Sequence, residues 1–217
     1  MTITIYGLPH STYTRTVLMT CLEKAVPFEL DETGLTPIAN LKKRSHRARH
    51  PFGMIPAIRD REFLLYETSA ICRYIDETRD GPSLTPSGSS ERALMEQWIS
   101  VTNAYVDGDF IRRCVLHYAF PRGENGEPDQ AVIDSAVPGI RRSLQVLNEA
   151  YGKEGFLVAG ALTLADLFLA PILFYLERTP IGPGLLDGAP NVRRGLRVLA
   201  ERSSFANVMH PETAIRW

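Results

Sequence analysis

The strongest constraint on this chain is a change of hydrophobic period across residues 80–90, DGPSLTPSGSS, a Pro-, Gly- and Ser-rich stretch with the composition of a linker. Before it, β-branched and aromatic runs alternate with helical spacing. After it, no strand alternation occurs. A chain of 217 residues can form one large domain or two small ones. The break predicts two: an α/β domain over 1–80, a linker over 81–90, and an all-helical domain over 91–217.

In the first part, Thr2–Tyr6 (TITIY) predicts a strand that ends at the turn Gly7-Leu8-Pro9. Val17, Leu18, Cys21, Leu22 and Ala25 then recur at helical spacing behind Ser11 and Thr12, and Pro27 closes that helix. Phe28–Asp31 predicts a second strand, and 33–51 a loop with a weak helix. Pro56–Arg59 and Phe63–Tyr66 predict a hairpin around Asp60-Arg61-Glu62. Thr68–Glu77 predicts a helix with Ala70, Ile71, Tyr74 and Ile75 on one face. The order βαβαββα in eighty residues suits a small α/β sandwich, with a parallel crossover first and an antiparallel edge after it.

In the second part, Leu94, Trp98, Val101 and Tyr105 recur at helical spacing. So do Val137, Ile140, Leu144 and Leu147, then Leu164, Leu167, Phe168 and Ile172, then Val192, Leu196 and Leu199. Leu157–Leu176 is apolar enough to imitate a membrane span, with Asp166 its one charge. A helix starting after Thr163 leaves only about 21 Å before Arg178, against roughly 30 Å of bilayer core. A buried helix, opened by a Thr163/Asp166 capping box with Leu162 and Leu167 as its staple, is expected instead.

Charge and cysteine usage narrow the function classes. Lys plus Arg (24) nearly cancels Asp plus Glu (25), so no chain-wide basic footprint for nucleic acid exists. Cys21, Cys72 and Cys114 are far apart, with no CxxC and no Cys/His ligand spacing, which argues against a disulfide framework or a metal and for a reducing compartment. The N-terminus lacks a charged region followed by an apolar core, so no signal peptide is expected. HExxH, P-loop and GxGxxG patterns are absent.

Three motifs and one basic run can carry chemistry. Ser11 opens a helix, where its hydroxyl could simply cap the backbone. The same position sits at the positive end of the helix dipole, where a bound thiolate would be stabilised. In His50-Pro51-Phe52-Gly53-Met54-Ile55-Pro56, a trans turn is the simpler reading; a cis Ile55–Pro56 bond would free the N–H and C=O of Ile55 to pair with a peptide ligand. Thr68 or Ser69 could be another cap, or Glu67 and Thr68 could hold the ammonium and carboxylate of an amino-acid end group. Lys42, Lys43, Arg44, Arg47 and Arg49 form a run with no acidic residue between Glu32 and Asp60, either a solvated face or a steering surface for an acidic ligand.

Taken together and in this order, the motifs resemble those of the cytosolic glutathione S-transferases across essentially the whole chain. The segment Gly7–Val17 (GLPHSTYTRTV) is most similar to the serine-type members, above all the plant phi class and related bacterial enzymes. The resemblance implies a thioredoxin-like first domain and a helical second one that contributes the electrophile pocket. It implies a transferase, active in detoxification, with glutathione as co-substrate and no metal.

Residue by residue, it places Ser11 against the glutathione sulfur, as stabiliser of the thiolate rather than nucleophile. It makes Pro56 the cis-proline, gives the main chain of Ile55 to the cysteinyl part, and gives Glu67 and Thr68 to the γ-glutamyl end. His50 and Met54 depart from the phi-like pattern, which often has Asn and then Lys or Gln there. Met54 cannot pair with the glycyl carboxylate, so that role passes to the basic run, with Lys42 nearest by position.

The electrophile side is expected from Tyr13, Tyr105, Phe110, Arg113, His117 and Tyr118, each of which could equally be core. The resemblance also implies a cytoplasmic homodimer without nucleic-acid or membrane partners. Peroxidase, isomerase or dehalogenase chemistry on the same site, and a non-enzymatic interaction module, are the alternatives.

Overall fold

A computed structural model describes residues 2–210. Among these residues two compact units form, one of residues 2–85 with 204–210 and one of residues 86–203.

The first unit holds one four-stranded sheet in the order β2-β1-β3-β4. Strand β1 (Ile3–Tyr6) is followed by α1 (Thr12–Glu23) and β2 (Phe28–Asp31), which pairs parallel to β1. A 3₁₀ segment (Ile38–Lys42) and a single turn α2 (Arg44–Arg47) lead to β3 (Ala57–Asp60), β4 (Phe63–Tyr66) and α3 (Thr68–Thr78). Strand β3 is antiparallel to both β1 and β4. This is the thioredoxin-like arrangement.

The β3 ladder begins at Ala57 rather than at Pro56, since proline has no N–H to give a ladder. The hairpin turn falls on Arg61 and Glu62, with Arg61 at φ +56°. Ile3, Ile5, Val17, Cys21, Ile58, Ile71, Cys72 and Ile75 are all fully buried and form the core between sheet and helices α1 and α3. Each fully buried aliphatic side chain contributes about 1.5–3 kcal/mol.

Two polar devices tie further segments to this unit. The Lys24 ammonium lies 3.1 Å from Asp76 and donates to the carbonyls of Gly81 and Pro82, while Asp76 accepts from the Leu84 N–H. Lys24, the C-cap of α1, and Asp76 on α3 thereby fix the segment 81–84. At the other end, Ser204 donates to Glu23 at the end of α1, and Met209 accepts from Arg15 near its start. The last helix among the described residues, α10 (Ser203–Val208), therefore runs antiparallel along α1, with Phe205, Val208 and Met209 buried.

The second unit is helical. Helix α4 (Ser89–Val101) runs unbroken into a π-helical stretch (Thr102–Val115) and the final turn α5 (Leu116–Ala119). Helices α6 (Gln130–Ala150), α7 (Leu164–Glu177), α8 (Gly182–Asp187) and α9 (Pro190–Ala200) follow. Every residue of α7 from Leu164 to Leu176 is buried, so this helix is the centre of the unit. No helix among the described residues is long and apolar enough to cross a membrane. The Thr163/Asp166 capping box is present: Asp166 accepts from the Thr163 N–H at 2.8 Å, the Thr163 hydroxyl at 2.9 Å and the Leu157 N–H at 2.9 Å.

The π stretch overturns one sequence expectation. Trp98 is buried as predicted, but Tyr105, inside the stretch, is exposed; Leu94, also exposed, lies on α4 ahead of it. Winding with i→i+5 bonds widens each turn, and the inward positions become Thr102, Val106, Phe110 and Cys114.

Candidate functional site

Strand register assembles the site. Tyr6, Ala57 and Tyr66 lie side by side across β1, β3 and β4, and Asp31 continues the row on β2. Strand β1 runs out through this row toward Ser11, β3 enters it from Ile55-Pro56, and β4 runs out through it into Glu67-Thr68. Three motifs separated by up to 57 positions in sequence therefore meet at one end of one sheet.

Ser11 is the N-cap of α1, in extended conformation, and its oxygen accepts from the Thr14 N–H at 3.4 Å. Capping uses a lone pair of the hydroxyl and leaves its O–H free to donate. The two readings of Ser11 are thus compatible: one hydroxyl can cap the helix and donate to an anion.

The Ile55–Pro56 bond is cis, as is Thr36–Pro37. The loop before Ile55 is held by buried His46, whose Nε2 lies 2.7 Å from the Met54 carbonyl. Gly53 has φ +67°, and a Cβ there would lie 2.7 Å from the Leu41 carbonyl oxygen. That close approach sets the end of the 3₁₀ segment, and with it the exposed Lys42, beside the loop that carries Ile55.

Glu67 is the N-cap of α3 with φ +71° and ψ +115°, and its side chain makes no capping bond. The expected cap at Thr68 or Ser69 is corrected accordingly: Thr68 is already the first helical residue, and it is buried. A non-glycine residue held there is strained by roughly 1–3 kcal/mol, a conformation that concentrates at binding sites. The exposed Glu67 carboxylate stands 4.0 Å from His50, which is buried against the rings of Phe52 and Tyr66. Burial lowers the His50 pKa, with Glu67 opposing the shift, so His50 is a neutral support for Glu67 near pH 7.

The basic run divides. Lys42, Lys43, Arg44 and Arg47 are exposed, whereas His46 within it and His50 just after it are buried. Arg49 lies over the Tyr6 ring at 4.0 Å. Nothing in charge patterning separates these structural members from the exposed ones.

Of the residues expected on the electrophile side, Tyr13 is half-buried on the first turn of α1. The other five lie on the π stretch and α5. Phe110 is fully buried in the helical unit, the core alternative left open for it. Arg113 is held 2.7 Å from Asp109 and from Ser135. Tyr105 is 66% exposed, and His117 and Tyr118 are half-buried.

The first unit is thus a thioredoxin-like sheet with these three motifs at one end, and the second unit is helical. Comparison with known proteins gives the family. The glutathione S-transferase N-terminal domain model matches residues 5–83, and the C-terminal domain model matches residues 108–201. The chain is 31% identical to glutathione S-transferase F13 of Arabidopsis thaliana, over 96% of this chain and 95% of that protein. It is similar to the crystal structure of glutathione transferase F7 from Populus trichocarpa, with a TM-score of 0.84, 27% identity, and coverage of 99% and 100% of the two chains. It is also similar to glutathione S-transferase I from mais in complex with an atrazine glutathione conjugate, with a TM-score of 0.83, 26% identity, and coverage of 95% and 96%. The chain belongs to the glutathione S-transferase family of enzymes, among relatives of the plant phi class.

Proposed function

We propose that this enzyme conjugates the thiolate of glutathione to a small hydrophobic electrophile, as a cytoplasmic homodimer active in detoxification. Ser11 donates its free O–H to the glutathione sulfur and holds it as the thiolate. The main chain of Ile55, ahead of cis-Pro56, pairs with the cysteinyl part. Glu67 holds the α-ammonium, the Thr68 hydroxyl and the first N–H groups of α3 hold the α-carboxylate, and Lys42 takes the glycyl carboxylate. Tyr13 on the first turn of α1, together with Tyr105, Arg113, His117 and Tyr118, supplies the electrophile side. Acceleration comes from positioning and from a depressed thiol pKa.

The single observation that supports the reading is the shared row Tyr6–Ala57–Tyr66, which brings the Ser11 hydroxyl at a helix N-terminus, the main chain of Ile55 and the Glu67 carboxylate to one end of the sheet. Retention on immobilised glutathione, followed by titration of the bound thiolate absorbance, tests it. The midpoint is expected below that of the free thiol, and Ser11→Ala should raise it by about one unit or more. An unchanged midpoint in that variant overturns the role of Ser11. Failure of the wild type to bind glutathione overturns the whole reading in favour of an interaction module. A panel of electrophiles, hydroperoxides and isomerisable substrates separates conjugation from the other glutathione-dependent reactions.

A further inference from the structure

The largest fully buried side chain among the described residues is a cation, Arg15, one turn below Ser11. Its main-chain N–H donates to the Ser11 carbonyl at 2.9 Å, and its Nε donates to the Pro9 carbonyl at 2.8 Å. One residue therefore grips the turn on both sides of His10. The Pro9 carbonyl faces the start of α1 and is satisfied by this guanidinium; no helix ladder is available to it. On its other side the guanidinium meets the Met209 sulfur at 3.4 Å, beyond the end of α10. The C-terminal segment is thus packed beneath the residue that shapes the Ser11 turn, and Ser204–Glu23 pins the far end of the same helix.

We propose that Arg15 is a positioning residue for Ser11, and that the C-terminal segment Ser204–Met209 sets Arg15. The inference rests on the proposed role of Ser11. Arg15 acts through geometry: its planar fork holds the Pro9 carbonyl through Nε and the Met209 sulfur through Nη1, the fixed turn aims the Ser11 hydroxyl, and Met209 stops the guanidinium from retreating toward α10. A lysine in its place keeps the charge but has no fork. The neighbouring His10 also senses the buried cation: burial and then Arg15 lower its pKa, against a smaller opposing effect of Glu32.

The test is a double-mutant cycle on the thiol midpoint of bound glutathione. Arg15→Lys, Arg15→Gln and Met209→Ala are each made with Ser11 intact and in the Ser11→Ala background, with circular dichroism confirming the fold. With Ser11 present, Arg15→Lys should raise the midpoint by about one unit, a tenfold change in ionisation. Met209→Ala should shift it the same way by less. In the Ser11→Ala background neither substitution should move it.

If Arg15→Lys leaves the midpoint at the wild-type value while Arg15→Gln raises it, the effect is direct charge and the positioning role is overturned. Equal shifts in both backgrounds overturn it as well. If Ser11→Ala alone has no effect, the Ser11 reading fails first, and the cycle shows that separately. Should the Arg15 variants not fold, Met209→Ala decides: a shift with Ser11 present and none without it supports the proposal, and no shift overturns it.

Discussion

Asp166 has no solvent exposure, yet its carboxylate accepts three hydrogen bonds and opens the helix at the centre of the second unit. Burial pushes its pKa up to about 6, and its bonds to Leu157 and Thr163 only partly counter that. Because the folded-state value lies above the ordinary 3.8, the fold binds this proton more tightly than the unfolded chain does. The resulting stability is fully present below about pH 3.8 and is lost as pH rises through about 6. Between pH 7 and pH 5, Asp166 should therefore stabilise the protein as pH falls. Denaturant unfolding at several pH values checks this, and Asp166→Asn should remove that component of the slope. Asp166→Ala leaves buried N–H donors without an acceptor and should destabilise by about 3 kcal/mol at neutral pH. At the same scale, Ser11→Ala removes one donor to the developing charge and should lower kcat/KM roughly 10²–10³-fold, measured with a chromogenic electrophile.

Elements bring these residues together through close backbone approaches. Gly53 combines a left-handed φ with contact against the Leu41 carbonyl, so Gly53→Ala adds strain and displaces the segment that carries Lys42. A loss of about 1–3 kcal/mol is expected in thermal unfolding, with weaker glutathione binding by calorimetry. The Lys24–Asp76 pair has the opposite character. Both side chains are only 3% exposed, so removing either partner strands a buried charge. Asp76→Ala should cost about 3–5 kcal/mol, whereas replacing both residues by apolar ones should cost much less than the sum of the single changes. The Pro/Gly/Ser stretch was legible in the sequence as a linker by composition. That its first residues are bound to α1 and α3 was not, because backbone carbonyls and N–H groups carry no sequence signature.

At the scale of the whole molecule, Phe52 is 74% exposed and stands against the rings of Tyr66 and of His50, the latter 4.0 Å from Glu67. Such a side chain suits burial against a second copy of the chain, in line with the proposed homodimer. Light scattering on size-exclusion chromatography should give twice the chain mass, and Phe52→Ala should shift the population toward monomer. A wild type that remains monomeric at all concentrations would count against the dimer.

The amino-acid sequence by itself determined the element order, the linker, the capping box and the three site motifs. Each of these rests on local physics: β-branched runs, caps, and periods of 2 and 3.6. Tertiary structure decided what local physics cannot carry. Strand register is a long-range pairing, and only the row Tyr6–Ala57–Tyr66 brings Ser11, Ile55 and Glu67 to one end of the sheet. The π winding of Thr102–Val115 changed which side chains face inward, burying Phe110 and exposing Tyr105. The strain at Glu67 is a conformation no glutamate prefers, imposed by the strand and helix on either side of it. Ser203-Ser204-Phe205 reads as one more short amphipathic segment wherever it packs. Only the fold lays α10 along α1 and sets Met209 against the arginine beneath Ser11.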